Sequence, residues 1–376
     1  MNPSEFDIRM MERALALAAE GTGVVSPNPL VGCVIVSESG EIVGEGTYTY
    51  EGVIHAEAKA LAEAGTLARG GTAYVSLEPH AHHGKTPPCT EALILAGIRR
   101  VVAPIEDPNP LVSGTGFQML RESGMEVVTG VLAKAGERIN EKFRVWHREG
   151  RPFIHLKLAV SLDGRISVNG SVSTALTGDA ARRRVQEFRH EHDAILVGSN
   201  TAVVDDPILT DRSGKLRRRP LVRVILDRRL RSHSGLRIVR TARDLPTLIF
   251  TELQNIDRAG ELKDCGVEVV GIESGERGLL PMLAELKKRE IQSVLVEGGT
   301  GVAGAFCDAR LVDKLTLIAA PVVIGGSAAP NAIGGRGAST LTDAIQLNDI
   351  QIEQLDRDIG ITGYPDIAHV PPGAGA

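Results

Sequence analysis

V-I-H-A-E-A-K-A-L (Val53–Leu61) precedes S-L-E-P-H-A-H-H-G-K-T-P-P-C (Ser76–Cys89), and what these two pieces build decides the first half of the chain. His55 and Glu57 open an Ala-rich stretch that reads as a helix over 55–68. Cys89 follows two prolines at the start of a second helix, with Pro expected in its first turn. Imidazole and thiolate are both metal ligands, and a helix N-terminus favours the thiolate. Glu57, two residues after His55, can face the same pocket without binding the metal. Taken singly, each residue is better read as structural, His55 as a helix cap and Cys89 as a small buried apolar group.

Working outward, Asp7–Glu20 carries apolar residues at helical spacing and stops at Gly21. Beyond it, C-V-I-V-S-E-S-G-E-I-V-G-E-G predicts two strands around a turn. G-G-T-A-Y-V-S-L, R-R-V-V-A-P-I and M-E-V-V-T-G supply three more strands, with the helix F-Q-M-L-R-E-S-G before the last. Strands alternating with helices imply an α/β sandwich with a largely parallel sheet. A helical linker runs from Val131 to about Glu149. The second half restarts as R-P-F-I-H-L-K-L-A-V and adds H-D-A-I-L-V-G, P-L-V-R-V-I-L-D, L-P-T-L-I-F-T, S-V-L-V-E-G-G and K-L-T-L-I-A-A-P-V-V-I. It too is α/β and extends to about residue 370. Two domains are expected, at 1–145 and 150–370.

The totals narrow the function. The chain has 376 residues, 43% hydrophobic and 24% charged, which suits two or three cored domains. Aromatics are only 3% and net charge is -5, so a nucleic-acid partner is not expected. No run reaches the ~18 apolar residues of a membrane span. Four scattered cysteines and an N-terminus without an apolar core point to the cytoplasm. The arginine runs at 182–184 and 217–219 read as solvated surface. In the second half no G-x-G-x-x-G follows the first strand, but V-E-G-G-T-G-V-A-G-A-F leads from a strand into a helix. Backbone N–H groups at such a start can cradle a phosphate; close strand–helix packing explains the glycines as well.

H-A-E followed by P-P-C is the order found in zinc-dependent deaminases, where three protein ligands leave one metal position for water. The whole chain then resembles the bifunctional deaminase–reductase family of riboflavin biosynthesis. The resemblance lies in S-P-N-P-L-V-G, H-A-E, L-E-P-H-A-H-H-G-K-T-P-P-C, D-P-N-P-L-V-S-G-T-G, K-L-A-V-S-L-D-G-R, A-I-L-V-G, D-D-P-I-L-T-D-R and V-E-G-G, and it covers about residues 5–365. It implies a cytidine-deaminase-like domain followed by a dihydrofolate-reductase-like domain. The implied activity is deamination of 2,5-diamino-6-(5-phosphoribosylamino)pyrimidin-4-one, then NADPH-dependent reduction of its ribosyl group to ribityl.

Residue by residue, the resemblance implies Zn2+ on His55, His80 and Cys89, with Glu57 as proton shuttle. Asn28, His82, Lys85, Asp107 and Asn109 would line the pyrimidine phosphate pocket. Ala159, Ala175, Thr201, Asp205 and the turn Gly299, Thr300, Gly301, Val302, Ala303, Gly304 and Ala305 would contact NADPH. Ser173, Arg189, Leu209, Arg212 and Glu297 would hold the reductase substrate, the arginines as phosphate clamps. Lys157 and Asp163 are candidates for polar help or for an internal ion pair. His80 stands where the family has Cys, Tyr48 where it has a pocket His, and Ala175 where it has Trp. Those departures motivate two rivals: a diverged enzyme of a specialised metabolite pathway, or a reductase with a silent deaminase half. A homo-oligomer is expected of a two-site enzyme of this kind.

Overall fold

The computed structural model describes residues 3–366 apart from 83–86, 111, 171–173 and 274–277. Two compact units emerge: Met1–Arg151 with Leu216–Arg218, and Pro152–Lys215 with Arg219–Ala376.

The first unit is one five-stranded sheet with helices on both faces. In chain order it has α1 (Glu5–Ala19), β1 (Gly32–Val36), β2 (Ile42–Thr47), α2 (Ala56–Ala64), β3 (Thr72–Val75), α3 (Cys89–Leu95), β4 (Arg100–Ala103), α4 (Thr115–Glu122), β5 (Glu126–Thr129), α5 (Ala133–Ile139) and α6 (Glu141–Arg148). The strand order is β2-β1-β3-β4-β5. β1 is antiparallel to both its neighbours, and β3, β4 and β5 run parallel. Ser4 caps α1 and shares Asp7 in a capping box. Asp7 also takes the Tyr74 hydroxyl at 2.8 Å and the Arg100 guanidinium at 2.6 and 3.1 Å, which pins α1 across β3 and β4. Burial of Cys33, Ile35, Val75, Leu93, Val101 and Leu120 builds one face, at roughly 1.5–3 kcal/mol for each large aliphatic side chain.

α2 lies unusually close to β2. A Cβ at Gly44 or Gly46 would stand 2.1 Å from the carbonyl oxygen of Ala60 or Ala56, so only glycine permits the approach. That contact fixes the height of α2, and with it the residues at its N-terminus. The expectation of Pro in the first turn of the next helix is corrected: Pro88 is the N-cap and Cys89 the first helical residue. The linker is two short helices, α5 and α6.

The second unit is a nine-stranded sheet, β10-β9-β8-β7-β11-β6-β12-β14-β13. Its elements are β6 (Phe153–Ser161), α7 (Asp179–Glu191), β7 (Ala194–Gly198), α8 (Ser199–Val204), β8 (Val222–Leu226), α9 (Arg237–Arg240), β9 (Thr247–Glu252), α10 (Gly260–Asp264), β10 (Glu268–Ile272), α11 (Leu279–Lys288), β11 (Ser293–Val296), α12 (Thr300–Asp308), β12 (Lys314–Ala320), β13 (Leu347–Leu355) and β14 (Asp358–Pro365). Strands from β10 to β12 pair in parallel; β14 and β13 close the edge antiparallel. β7 and β11 are buried along their whole length, as central parallel strands with helices on both faces must be. Of these strands β10, β13 and β14 had not been anticipated. Arg182 pairs with Asp179, and Arg184 with Glu187, Glu191 and Glu353, so the first arginine run is an ion-paired surface.

Candidate functional site

In the first unit α2 and α3 present their N-termini to one pocket. His55 is the N-cap of α2, Glu57 stands in its first turn, and Cys89 starts α3. The Thr90 N–H and hydroxyl both donate to the His80 carbonyl, at 3.3 and 3.4 Å, tying the 80s loop to α3. The result is compact: one ligand atom each from His55, His80 and Cys89 lies within 4.8 Å of the others. The imidazoles of His55 and His80 stack with centroids 4.4 Å apart and planes 23° apart. Burial and the neighbouring His55 and His82 push the His80 pKa down to about 4, so at neutral pH its ring is uncharged and free to ligate. Burial and the Glu57 carboxylate push the Cys89 thiol far up. Glu57 is buried, and its Oε2 has no hydrogen-bond partner among the described residues. Two imidazoles, a thiol hydrogen-bonded to a buried carboxylate and a carboxylate oxygen without a partner among the described residues form a donor set that fits a dication.

Around this core, Asn28 donates to the Tyr48 hydroxyl at 2.6 Å, and the Tyr48 ring meets His55 edge-on at 5.5 Å. His82 is exposed, with its ring centroid 5.2 Å from that of His80. Asp107 accepts the Asn109 N–H at 2.8 Å. Burial pushes the Asp107 pKa up to about 6, with nearby Glu78 adding and the Asn109 N–H and His82 opposing. Lys85 lies outside the described residues.

In the second unit a cavity of about 660 Å³ opens at the C-terminal ends of β7, β8 and β11. Thr201, Asp205, Gly299, Thr300, Gly301, Val302 and Ala305 line it. Ala303 and Gly304 face inward instead; a Cβ on Gly304 would meet Gly334 backbone at 2.4 Å. Among the described residues no side chain caps α12, and a Cβ at Gly301 would touch nothing within 4 Å. The first turn thus offers open N–H donors, a cradle suited to a dinucleotide phosphate.

Glu297, directly after β11, receives both arms of Arg189, Nε at 2.8 Å and Nη2 at 3.2 Å, while Lys157 Nζ stands 3.8 Å away. Arg189 Nη1 is spent on the Thr210 carbonyl at 3.0 Å. Burial raises the Glu297 pKa, but Arg189 and Lys157 outweigh it and leave it depressed. Burial lowers that of Lys157, with Arg189 adding and Glu297 opposing. Asp163 is not part of this cluster: it accepts from Ser161 and from the Ile324 and Gly325 N–H groups, organising a turn.

Residues 152–361 match the model of the RibD C-terminal domain, and residues 4–104 that of the cytidine and deoxycytidylate deaminase zinc-binding region. The riboflavin biosynthesis protein RibD of Bacillus amyloliquefaciens is 41% identical over 356 residues, covering 94% of this chain and 95% of the relative. RibD of Escherichia coli is 39% identical, covering 93% and 96%. A solved structure of Acinetobacter baumannii RibD superposes with a TM-score of 0.84 at 35% identity, over 96% of this chain and 99% of that one. The chain belongs to the RibD family.

It is therefore a riboflavin-biosynthesis enzyme with two activities, a zinc-dependent deaminase and an NADPH-dependent reductase, acting on a small molecule. The comparisons support that reading and not the diverged or half-silent alternatives. The two folds are the expected ones, cytidine-deaminase-like and dihydrofolate-reductase-like. Among the described residues no helix is long and apolar enough to cross a membrane.

Several of the positions that the resemblance implies are not among the residues lining the cavity of the second unit. Leu209 is buried in an apolar cluster with Ile195, Ile225 and Ile238. Ala175 is exposed, and Ala159 sits within β6 opposite Ile318; neither lines the cavity. Arg212 is exposed on a loop, its N–H on Gln186. Ser173 lies outside the described residues. Sequence reasoning missed Glu78, whose carboxylate holds the loop that carries Asp107, and Arg228, Arg229 and Arg231 on the cavity rim. The E of L-E-P and the basic D-R-R-L-R following a strand were the available signals.

Proposed function

We propose that residues 1–145 carry out the deamination and residues 150–370 the reduction, through the side chains gathered above. His55, His80 and Cys89 would hold the zinc, which when bound supplies a Lewis acid that lowers the pKa of water to about 7. The buried, half-orphaned Glu57 carboxylate takes a proton from the attacking water and passes it to the amine that leaves as ammonia. Asn28, Asp107 and Asn109 offer amide and carboxylate groups to the edges of the aminopyrimidine. His82 and Lys85 take its phosphoribosyl side.

In the reductase half, NADPH when bound supplies the hydride. The uncapped α12 turn, with Thr201 and Asp205, takes its phosphate and ribose groups. Lys157, held by Glu297 and made a better proton donor by burial, serves the sugar oxygen released as the ring opens. Arg189 is committed to Glu297, so it positions that carboxylate against the sugar; Arg212 and Ser173 remain for the substrate phosphate. Free cysteines support a cytoplasmic location, and exposed apolar side chains such as Leu341 and Ile352 support a homo-oligomer.

The observation that carries this reading is the approach of His55, His80 and Cys89 ligand atoms within 4.8 Å beside buried Glu57. Ammonia release from the diaminopyrimidine phosphate by zinc-loaded enzyme, without NADPH, tests it. Release should vanish in Glu57→Ala; release that persists there would remove Glu57 from the chemistry.

A further inference from the structure

Residues 321–346 join β12 to β13 without a helix or strand, far more chain than an ordinary connection of about 4–6 residues. The middle of this strap lies across the first turn of α12. The Thr300 hydroxyl donates to the Asn331 carbonyl at 2.5 Å, and the Thr300 carbonyl accepts the Gly334 N–H at 3.0 Å. Gly304 and Gly334 meet backbone to backbone, and a Cβ on Gly334 would stand 2.7 Å from Thr300 Cγ2. Thr300 and Pro330 both line the cavity of the second unit, so the strap is one of its walls.

One aspartate pins each end of the strap. Asp163 belongs to S-L-D-G-R (Ser161–Arg165), and its two oxygens take the Ile324 and Gly325 N–H groups at 3.0 and 2.7 Å. Asp308, the last residue of α12, takes the Arg336 and Gly337 N–H groups at 2.7 and 3.2 Å. Successive N–H groups that converge form a concave anion site, and here a carboxylate of the chain itself fills each one. Gly325 and Gly337 adopt left-handed φ values of 67° and 69°, which glycine accepts without strain. Between the pins the Arg165 guanidinium holds the Ala329 carbonyl at 2.8 Å and the Asn331 side chain. Backbone bonds also join Ile166 to Pro330 and Gly164 to Ala332.

Neither aspartate serves its own element. A carboxylate at the C-terminal end of a helix opposes the helix dipole, so Asp308 costs α12 some stability. Asp163 is exposed, and the Ser161 hydroxyl with the two strap N–H groups holds its carboxyl well below the usual carboxylate range, so it is charged at neutral pH. What both carboxylates do is keep the strap seated on α12. A site that is formed only part of the time binds more weakly by the formed fraction, and saturating ligand restores it. Loosening the pins therefore weakens binding in the cavity and leaves turnover at saturation alone.

We propose that Asp163 and Asp308 are positioning residues of the reductase half, holding the strap against α12 so that the cavity stays formed for the cofactor. This rests on the cofactor reading of the cavity given above. Asp163→Asn, Asp308→Asn and the double variant of the full-length enzyme test it, through reductase kinetics on the deaminated intermediate. KM for NADPH should rise about threefold in each single variant and about tenfold in the double one, with kcat within about twofold and ammonia release unchanged. KM does not depend on the amount of folded enzyme, so poor folding of a variant does not imitate this split. An unchanged KM in the double variant, or a fall in kcat alone, overturns the proposal while leaving the cavity as the cofactor site. Gly301→Asp, which sets a carboxylate in the open α12 turn, should raise KM for NADPH whatever the strap does. If it does not, the cofactor lies elsewhere and both readings fall.

Discussion

The Glu78 carboxylate accepts the backbone N–H of Asp107 at 2.9 Å. The same oxygen takes Gly114 N–H, and the other takes Gly116 and Phe117 N–H at 2.8 and 3.2 Å. One buried side chain thus fastens both ends of the loop that carries Asp107 and Asn109. Gly116 is required there, since a Cβ would fall 2.0 Å from the Pro79 carbonyl. Glu78→Gln replaces one acceptor oxygen by a donor facing N–H groups, and charged hydrogen bonds are worth about 1.5–3 kcal/mol each. The deaminase KM should rise about tenfold or more while zinc content stays unchanged. Equal losses of zinc and activity would instead mark Glu78 as a purely structural residue.

Asp107 should set a pH dependence. Its pKa is raised to about 6 by burial, above the value of about 3.9 for an unfolded chain. Between those values the folded state holds the extra proton, so stability falls as pH rises from about 4 to about 6 and is level beyond. Asp107→Asn removes that cost and should stabilise the metal-free first unit by about 1–2 kcal/mol at pH 7, with little effect at pH 4. Thermal melts at the two pH values measure this. Deaminase activity should be lost in the same variant, because the amide offers the pyrimidine no anionic acceptor.

Glycine at the β2–α2 contact carries a catalytic consequence. Gly46→Ala would set a methyl 2.1 Å from the Ala56 carbonyl, so α2 must move outward and take Glu57 with it. A misplacement of about 1 Å costs on the order of 100-fold in rate. Deaminase kcat should drop accordingly, with NADPH-dependent reduction of the deaminated intermediate unchanged. An undiminished deaminase kcat would show that β2 yields instead of α2.

What the sequence made legible was periodic or chemical. Alternating strands and helices revealed two α/β units, and H-A-E with P-P-C marked side chains that meet only because α2 and α3 start at the same pocket. The β13–β14 hairpin escaped because β13 is exposed along almost its whole length, so no apolar alternation announces it. β10 is short and half buried, with Gly271 inside it. The resemblance implies a ligand contact at Leu209, but which way its side chain turns depends on the backbone, here a left-handed φ of 56° that buries it among apolar neighbours. The resemblance implies a phosphate clamp at Arg189, and nothing local in the sequence shows that Glu297, far along the chain, takes its guanidinium. Long-range partners of this sort appear only once β11 is laid beside β7.

The exchanged ligand gives the sharpest test of the deaminase half. In the ligand set proposed above, His80 would contribute a neutral imidazole, so that with Cys89 the site would carry a single thiolate in place of two. A His2Cys set leaves the metal about one charge more positive, which favours a more acidic bound water. The stacking of His80 on His55 and the Thr90 bonds to its carbonyl show a loop already fitted to the larger ring. His80→Cys should therefore still bind zinc, but the thiolate raises the electron density on the metal. The lower pKa of the activity profile should move upward by about one unit. His80→Ala leaves two protein ligands, and its zinc should dialyse away to a small fraction of one per chain, with NADPH-dependent reduction retained. Metal analysis with pH–rate profiles of both variants checks this. An alanine variant that kept full zinc would mean another residue supplies the third bond.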